Sequence, residues 1–343
     1  MIWKRLRKYS PATEKNFFWI KNQYTTGVKR LSKPRMKKRI LITGVNGFIG
    51  SALRRYIRDR NQNFEVFGID LLKPAPADQQ IFVCDLNNHR KLQRILSKIR
   101  PEYIFHLTGG RIVGKKKLLQ SNLLISQVLF ETIKKVPNFR PRVIIPSTAA
   151  EYGNAGWRGK FITENANQRP ISWYGFVKSM QTGLSLTYAQ QGFDVVVGRI
   201  FNISGFGTPP TLVIGKFAYE ISCIEKERKK KVIYTKGLAV RRDFLDIQDV
   251  CSALLAIAKD GQSGEIYNIC SSKAYSIKDL LQKLLSYSGV RGVRIQEYKN
   301  GDGEVRDAIG SNVKIKGATR WRPQVPIEQS LLDTLNFYRV YKR

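Results

Sequence analysis

From residue 39 to about residue 200 the chain repeats one rhythm, a short β-prone apolar run followed by a longer amphipathic stretch. "RILITG", "FEVFGID", "IFVCDL", "YIFHLTG", "RVIIPST" and "DVVVGRI" read as strands. "FIGSALRRYIRDR", "LQRILSKIR", "LQSNLLISQVLFETIKKV" and "WYGFVKSMQTGLSLTYAQQ" read as helices. Parallel neighbours need a crossover between them, so this alternation predicts an α/β fold with a doubly wound parallel sheet covered by helices. Past residue 200 the rhythm breaks into shorter pieces. We therefore expect one parallel-sheet domain over 36–200 and a smaller C-terminal α/β substrate-binding region over 201–343. The latter would interleave with the sheet and lie over its carboxyl edge, where such folds bind ligands.

Composition narrows the class. The 343 residues are 42% hydrophobic, enough for a large core, and no uncharged apolar run is long enough to span a membrane. Cys84, Cys223, Cys251 and Cys270 are scattered beside apolar residues, as reduced buried thiols would be, and His89 and His106 are the only histidines. No metal site is expected, and the cytoplasm is the expected compartment. The formal charge of +34 implies attraction to anions. It is spread along the chain, which argues against a specific nucleic-acid stripe. Residues 1–35, with ten Lys/Arg against one acid, form a basic extension. Three readings of it stay open: an upstream start, a targeting peptide, or a weak contact with an anionic membrane surface.

The first strand hands over to the first helix through Gly44, Gly47 and Gly50. Gly44 suits a tight turn, Gly47 lets a pyrophosphate approach the main chain, and Gly50 lets helix and strand pack closely. Asp70 closes the second strand, where a carboxylate takes the adenosine ribose hydroxyls, and Asp85 after the third can approach the adenine. This is a Rossmann-type arrangement. A carboxylate repels a 2′-phosphate, so NAD(H) is favoured, with NADP(H) admitted because Lys73, Arg54 and Arg55 lie close in sequence.

In "SWYGFVKSMQ", Tyr174 and Lys178 are four apart and project from one helix face. An ammonium near a phenol lowers the phenol's pKa and equips it to exchange a proton with a hydroxyl or ketone. Thr148, at the end of the fifth strand, can hydrogen-bond the same oxygen.

The motifs "TGVNGFIG", "GID", "CDL", "HLTGG", "SNLL", "STAAEYG", "YGFVK", "GRIFNISGFG", "RRDFLDIQDV" and "GEIYNIC" occur here in an order that extends from about residue 38 to 340. The chain so resembles the extended short-chain dehydrogenase/reductases, in the NAD-dependent epimerase/dehydratase family acting on nucleotide sugars. The resemblance implies Thr148, Tyr174 and Lys178 as the catalytic set. It implies Asn46, Phe48, Ile49, Leu86, Leu107 and Asn122, beside the glycines and both aspartates, as cofactor contacts. Asn202 and Arg242 would hold the nucleotide-sugar phosphates. "NGDGEVRDAIGSNVKIK" departs from the family pattern, and Arg306 is the basic residue nearest the missing motif. A homodimer through the helices carrying "LQSNLL" and Tyr174 is also implied.

The 4,6-dehydratases of that family place an Asp-Glu pair where this chain has Ala149 and Ala150, which disfavours elimination of water. Two reactions remain: reduction of an NDP-4-keto-6-deoxyhexose at C4, or 4-epimerisation. The C-terminal half looks most like the GDP-4-dehydro-6-deoxy-D-mannose reductases, so reduction is the expectation and epimerisation the alternative. A non-catalytic dinucleotide-binding interaction protein is a third reading, against which the retained catalytic trio speaks.

Overall fold

The apolar runs pair as their rhythm requires. In the computed structural model, which describes residues 37–60, 63–72, 78–110, 114–153, 160–298 and 307–340, six strands are β1 (Lys38–Thr43), β2 (Phe64–Asp70), β3 (Ile81–Val83), β4 (Tyr103–His106), β5 (Arg142–Thr148) and β6 (Val195–Ile200). With Ile266–Ile269 they form one seven-stranded sheet. Its order is Ile266–Ile269, β6, β5, β4, β1, β2, β3, and every pairing is parallel. The chain winds outward from β1 to β3, then returns to the other side of β1. That reversal opens a crevice at the carboxyl ends of β1 and β4.

Alternation along each strand builds two cores. Ile40 and Ile42 face Leu53 and Ile57 of α1 (Phe48–Arg60), together with Val250 and Leu254 of the helix Ile247–Asp260. Leu41 faces the other way, onto a layer with Leu92 and Leu96 of α2 (His89–Ile99).

One helix differs from its expectation. "LQSNLL" does not continue a regular α-helix; α3 (Lys115–Leu119) passes into a π-helical turn, Gln120–Leu124, before α4 (Ile125–Lys134). The extra residue turns Asn122 inward, where Nδ2 donates to the Leu118 and Gly110 carbonyls at 3.0 and 3.2 Å.

The remaining strands are short. Asn202–Ser204 pairs with Phe244–Asp246, and Val232–Lys236 pairs with Arg294–Tyr298. Arg241–Arg242 lies between Tyr275–Ser276 and Asp307–Ala308. Helices Val213–Glu225, Ile277–Ser288 and Ile327–Val340 pack around Phe217, Leu280 and Leu331 in a third core. No helix among the described residues is long and apolar enough to cross a membrane. The basic segment 1–35 lies outside the described residues.

Candidate active site

Between the sheet's carboxyl edge and the small C-terminal strands runs one cleft of about 1900 Å³. That is roughly twice the space a single drug-sized ligand needs. Gly44, Asn46, Gly47, Phe48, Ile49, Gly50, Asp70, Asp85, Leu86 and Leu107 line one end, and Asn202 and Arg242 the other; Thr148, Tyr174 and Lys178 also lie on the wall. Of the residues expected from sequence, two stand apart. Asn122 is fully buried and off the wall, and its Oδ1 accepts from the Gly110 N–H at 3.0 Å. It can support the loop after β4 but not touch a ligand directly. Arg306 lies outside the described residues.

The glycine loop has the conformation its composition suggests. Gly44 takes φ +67°, and a Cβ on Gly50 would stand 2.2 Å from the Gly44 carbonyl oxygen. Asp70 Oδ2 accepts the Asn46 N–H at 2.9 Å, bracing loop against strand. Arg54 and Arg58, four apart on α1, also line this end and face Asp78. Burial would raise the Asp78 carboxyl, but hydrogen bonds from Arg54 and the Gln80 N–H outweigh it and hold it low.

The central residues come from β5 and α5 (Trp173–Gln190). Ser172 caps α5, accepting the Gly175 N–H at 3.1 Å. A Cβ on Gly175 would fall 2.3 Å from the Ala150 carbonyl oxygen, so the glycine lets α5 sit directly on the turn Ala149–Glu151. Half-buried Tyr174 is thereby set beside the end of β5. Thr148 Oγ1 accepts the Ala150 N–H at 3.2 Å, and its own hydrogen has no acceptor among the described residues. Lys178 is 5% exposed, and its Nζ donates to the Pro146 carbonyl at 2.6 Å and to Gln181 Oε1. Burial pulls Lys178 down to about 8, against the opposing pull of Glu151.

Ala149 and Ala150 line the cleft, whereas Glu151 turns away from it. Glu151 is fully buried, takes Arg199 Nε at 3.1 Å and Thr182 Oγ1 at 2.9 Å, and faces Arg199 Nη2 at 2.8 Å. The carboxylates on the cleft wall, Asp70, Asp78 and Asp85, are all at the glycine-loop end.

At the far end two adjacent arginines divide. Arg241 Nη2 pairs with Asp307 at 2.8 Å, outside the cleft, while Arg242 lines it. Between them and the next strand sits Asp243, fully buried. Its carboxylate accepts the Ser271 N–H at 2.8 Å, Ser271 Oγ at 2.7 Å, the Ser272 N–H at 2.9 Å and the Gly310 N–H at 3.3 Å. Its backbone carbonyl accepts Asn202 Nδ2 at 2.8 Å. Asp243 thus ties together the segments that carry Arg242 and Asn202. Sequence reading gave it no role, since its partners lie far along the chain. The only local signal is an acid between two arginines and an apolar strand.

A doubly wound parallel sheet, a glycine loop at its switch point and a Tyr/Lys pair on the same cleft define a dinucleotide-binding α/β enzyme of the extended short-chain dehydrogenase/reductase type. The chain belongs to the NAD dependent epimerase/dehydratase family, whose sequence model matches residues 40–270. It is similar to GDP-6-deoxy-D-mannose reductase of Pseudomonas aeruginosa, 27% identical over 312 residues, covering 88% of this chain and 97% of that protein. GDP-6-deoxy-D-talose 4-dehydrogenase of Aggregatibacter actinomycetemcomitans is 28% identical over 254 residues, covering 73% of this chain and 80% of that one. Among solved structures, RMD from Pseudomonas aeruginosa complexed with NADPH superimposes with a TM-score of 0.79 at 27% identity, over 88% of this chain and 99% of that one. UDP-glucose 4-epimerase of Thermotoga maritima, solved with UDP-glucose, shares the fold with a TM-score of 0.76 at 24% identity, over 88% and 98% of the two chains.

Proposed function

We propose that this enzyme reduces the C4 ketone of an NDP-4-keto-6-deoxyhexose, with a GDP-sugar as the favoured substrate. The observation that carries this reading is the wall beside Thr148 and Tyr174, where Ala149 and Ala150 stand and Glu151 is turned into the protein. A methyl group neither takes nor gives a proton, so water elimination has no acid or base there. Ketone reduction needs none beyond the phenol. The matches in P. aeruginosa, a protein named as a reductase and a structure solved with NADPH, support the same choice.

The reduced nicotinamide, when bound, supplies the hydride. Asp70 and the glycine loop would hold the adenosine and pyrophosphate, with NAD(H) favoured by the carboxylate and NADP(H) admitted by Arg54 and Arg58. Tyr174 gives its proton to the oxygen that was the ketone. Lys178 stabilises the resulting phenolate, and Thr148 donates its unused hydrogen to the same oxygen. Arg242 offers a planar fork to the diphosphate, with Asn202 beside it. Trp173, Phe176 and Leu124, 49%, 45% and 46% exposed on α5 and the π-helical turn, suit the face of a homodimer.

The test is purified protein with NADH or NADPH and a panel of nucleotide sugars. We expect a GDP-4-keto-6-deoxyhexose to consume reduced nicotinamide in step with product. Tyr174→Phe should lower turnover by roughly 10²–10⁴-fold while dinucleotide binding persists. Conversion of a UDP-hexose to its C4 epimer with no net cofactor consumption would replace this reading with epimerisation.

A further inference from the structure

Behind Lys178 the buried polar side chains form one hydrogen-bonded line. Gln181 Oε1 accepts from Lys178, and Gln181 Nε2 donates to Ser126 Oγ at 2.7 Å. Ser126 has one hydrogen and gives it to the Asn122 carbonyl at 2.7 Å, so toward its other neighbours its oxygen can only accept. His106 Nε2 lies 3.1 Å from the same oxygen. That ring nitrogen must therefore carry the proton, which leaves Nδ1 to accept Thr43 Oγ1 at 2.9 Å. Thr43, His106, Ser126, Gln181 and Lys178 are each 5% exposed or less. Burial, with Lys178 nearby, pulls His106 down to about 3, consistent with a neutral ring.

The line has a direction. A carboxamide can present either its oxygen or its NH₂ to a neighbour, and NH₂ against an ammonium sets donor against donor. Ser126 admits only a donor from Gln181, so the NH₂ points to Ser126 and the oxygen to Lys178. With Pro146 and Gln181 each taking one N–H, Lys178 keeps one of its three for the cleft. We infer that Gln181 is a positioning residue whose carbonyl, oriented by Ser126 and His106, holds Lys178 as an ammonium aimed at Tyr174. The inference rests on the reading of Tyr174 and Lys178 as a proton-exchanging pair. Other charged or titratable groups facing Lys178 are Glu151 from the turn after β5, itself paired to Arg199 of β6, His106 of β4 and Tyr174 of the same helix. From the π-helical turn and α4, the described residues that join this line are neutral Asn122 and Ser126.

The test titrates one phenol and needs no sugar. Tyrosinate absorbance of the full-length protein is followed against pH, and the Tyr174→Phe curve is subtracted to isolate Tyr174. Wild type should titrate below the ordinary tyrosine range. Gln181→Met keeps the volume without the strong acceptor, so it should lower the phenolate fraction near neutral pH roughly tenfold. Ser126→Ala, which frees the amide to turn, should move it the same way by less. Thermal melting and dinucleotide binding identify folded variants, and Ser126→Ala decides if Gln181→Met does not fold. A low-titrating wild type with folded variants that leave the curve unmoved overturns the role of Gln181 alone. A wild-type phenol in the ordinary range overturns the Tyr174–Lys178 pair and this inference with it.

Discussion

The two ends of the cleft are built differently. The glycine-loop end is local: β1, the loop and α1 are contiguous, and Asp70 and Asp85 follow at or just past the ends of the next two strands. The far end gathers Asn202, Arg242 and Ala308, carried by sheets of two or three short strands, and Ile277 at the start of a helix. A backbone cradle on a central strand is held by the whole sheet. A wall of distant segments depends on the few side chains that pin them, and here the pin is Asp243. Changes at the first end should alter dinucleotide affinity alone, whereas the second should respond to whatever weakens that carboxylate.

The largest expected effect follows from its burial. Desolvation lifts Asp243 from its ordinary 3.8 to about 7, against the hydrogen bonds from Ser271, Ser272 and Gly310. A raised folded-state pKa means that the folded protein binds the proton more tightly than the unfolded chain does. This stabilisation is complete below about pH 4 and is lost as pH rises to about 7, by at most roughly 4 kcal/mol. His106 acts oppositely in an overlapping window: its depressed pKa costs stability as pH falls from about 6.5 toward 3. The wild-type curve mixes both. Subtracting the stability of Asp243→Asn, measured by denaturant unfolding at each pH, cancels His106. The difference should fall between about pH 4 and 7 and be flat above. A flat difference throughout would leave the far end without its titrating pin.

This contrast also explains what could be read from sequence. The parallel sheet, the glycine loop and the Tyr174–Lys178 pair depend on residues a few positions apart, so periodicity and spacing reveal them. Glu151 and Arg199 are 48 positions apart, and Asp243 and Gly310 are 67 apart; no local pattern joins either pair. Gln181 was visible only as a neighbour of Lys178, because its role depends on Ser126 from another element. The π-helical turn escaped for a related reason. Its apolar pattern is helical, and the widening comes from the contacts of Asn122 with the loop after β4.

The next effect breaks the local end. Gly50→Ala drives a Cβ into the Gly44 carbonyl oxygen, a backbone atom that cannot yield without moving the loop. Such overpacking costs about 1–3 kcal/mol. Dinucleotide affinity, measured by calorimetry, should fall by up to about 100-fold. Nucleotide-sugar affinity should change much less, because Asn202 and Arg242 line the cleft from other strands. Equal losses for both ligands would show that the two ends are not separable.

The smallest effect sharpens the far end by comparing two adjacent arginines. Arg242 lines the cleft, and a planar guanidinium can give a diphosphate two parallel hydrogen bonds where a lysine gives a single point contact. Arg242→Lys keeps the charge, so the expected loss is one charge-assisted hydrogen bond, about 1.5 kcal/mol or roughly tenfold in KM for the nucleotide sugar, with kcat nearly unchanged. Arg241 has the same chemistry one residue earlier, but it faces Asp307 across an exposed pair. Exposed pairs contribute about 0–1 kcal/mol, so Arg241→Lys should leave KM within about twofold of wild type. The two substitutions share charge and strand and differ in the side of the strand they occupy and in the pairing of Arg241 with Asp307. A rise in KM for Arg242→Lys alone therefore reports the wall itself. An equal rise for both would mean that either lysine disturbs the strand itself, and that Arg242's place on the cleft is not what sets the affinity.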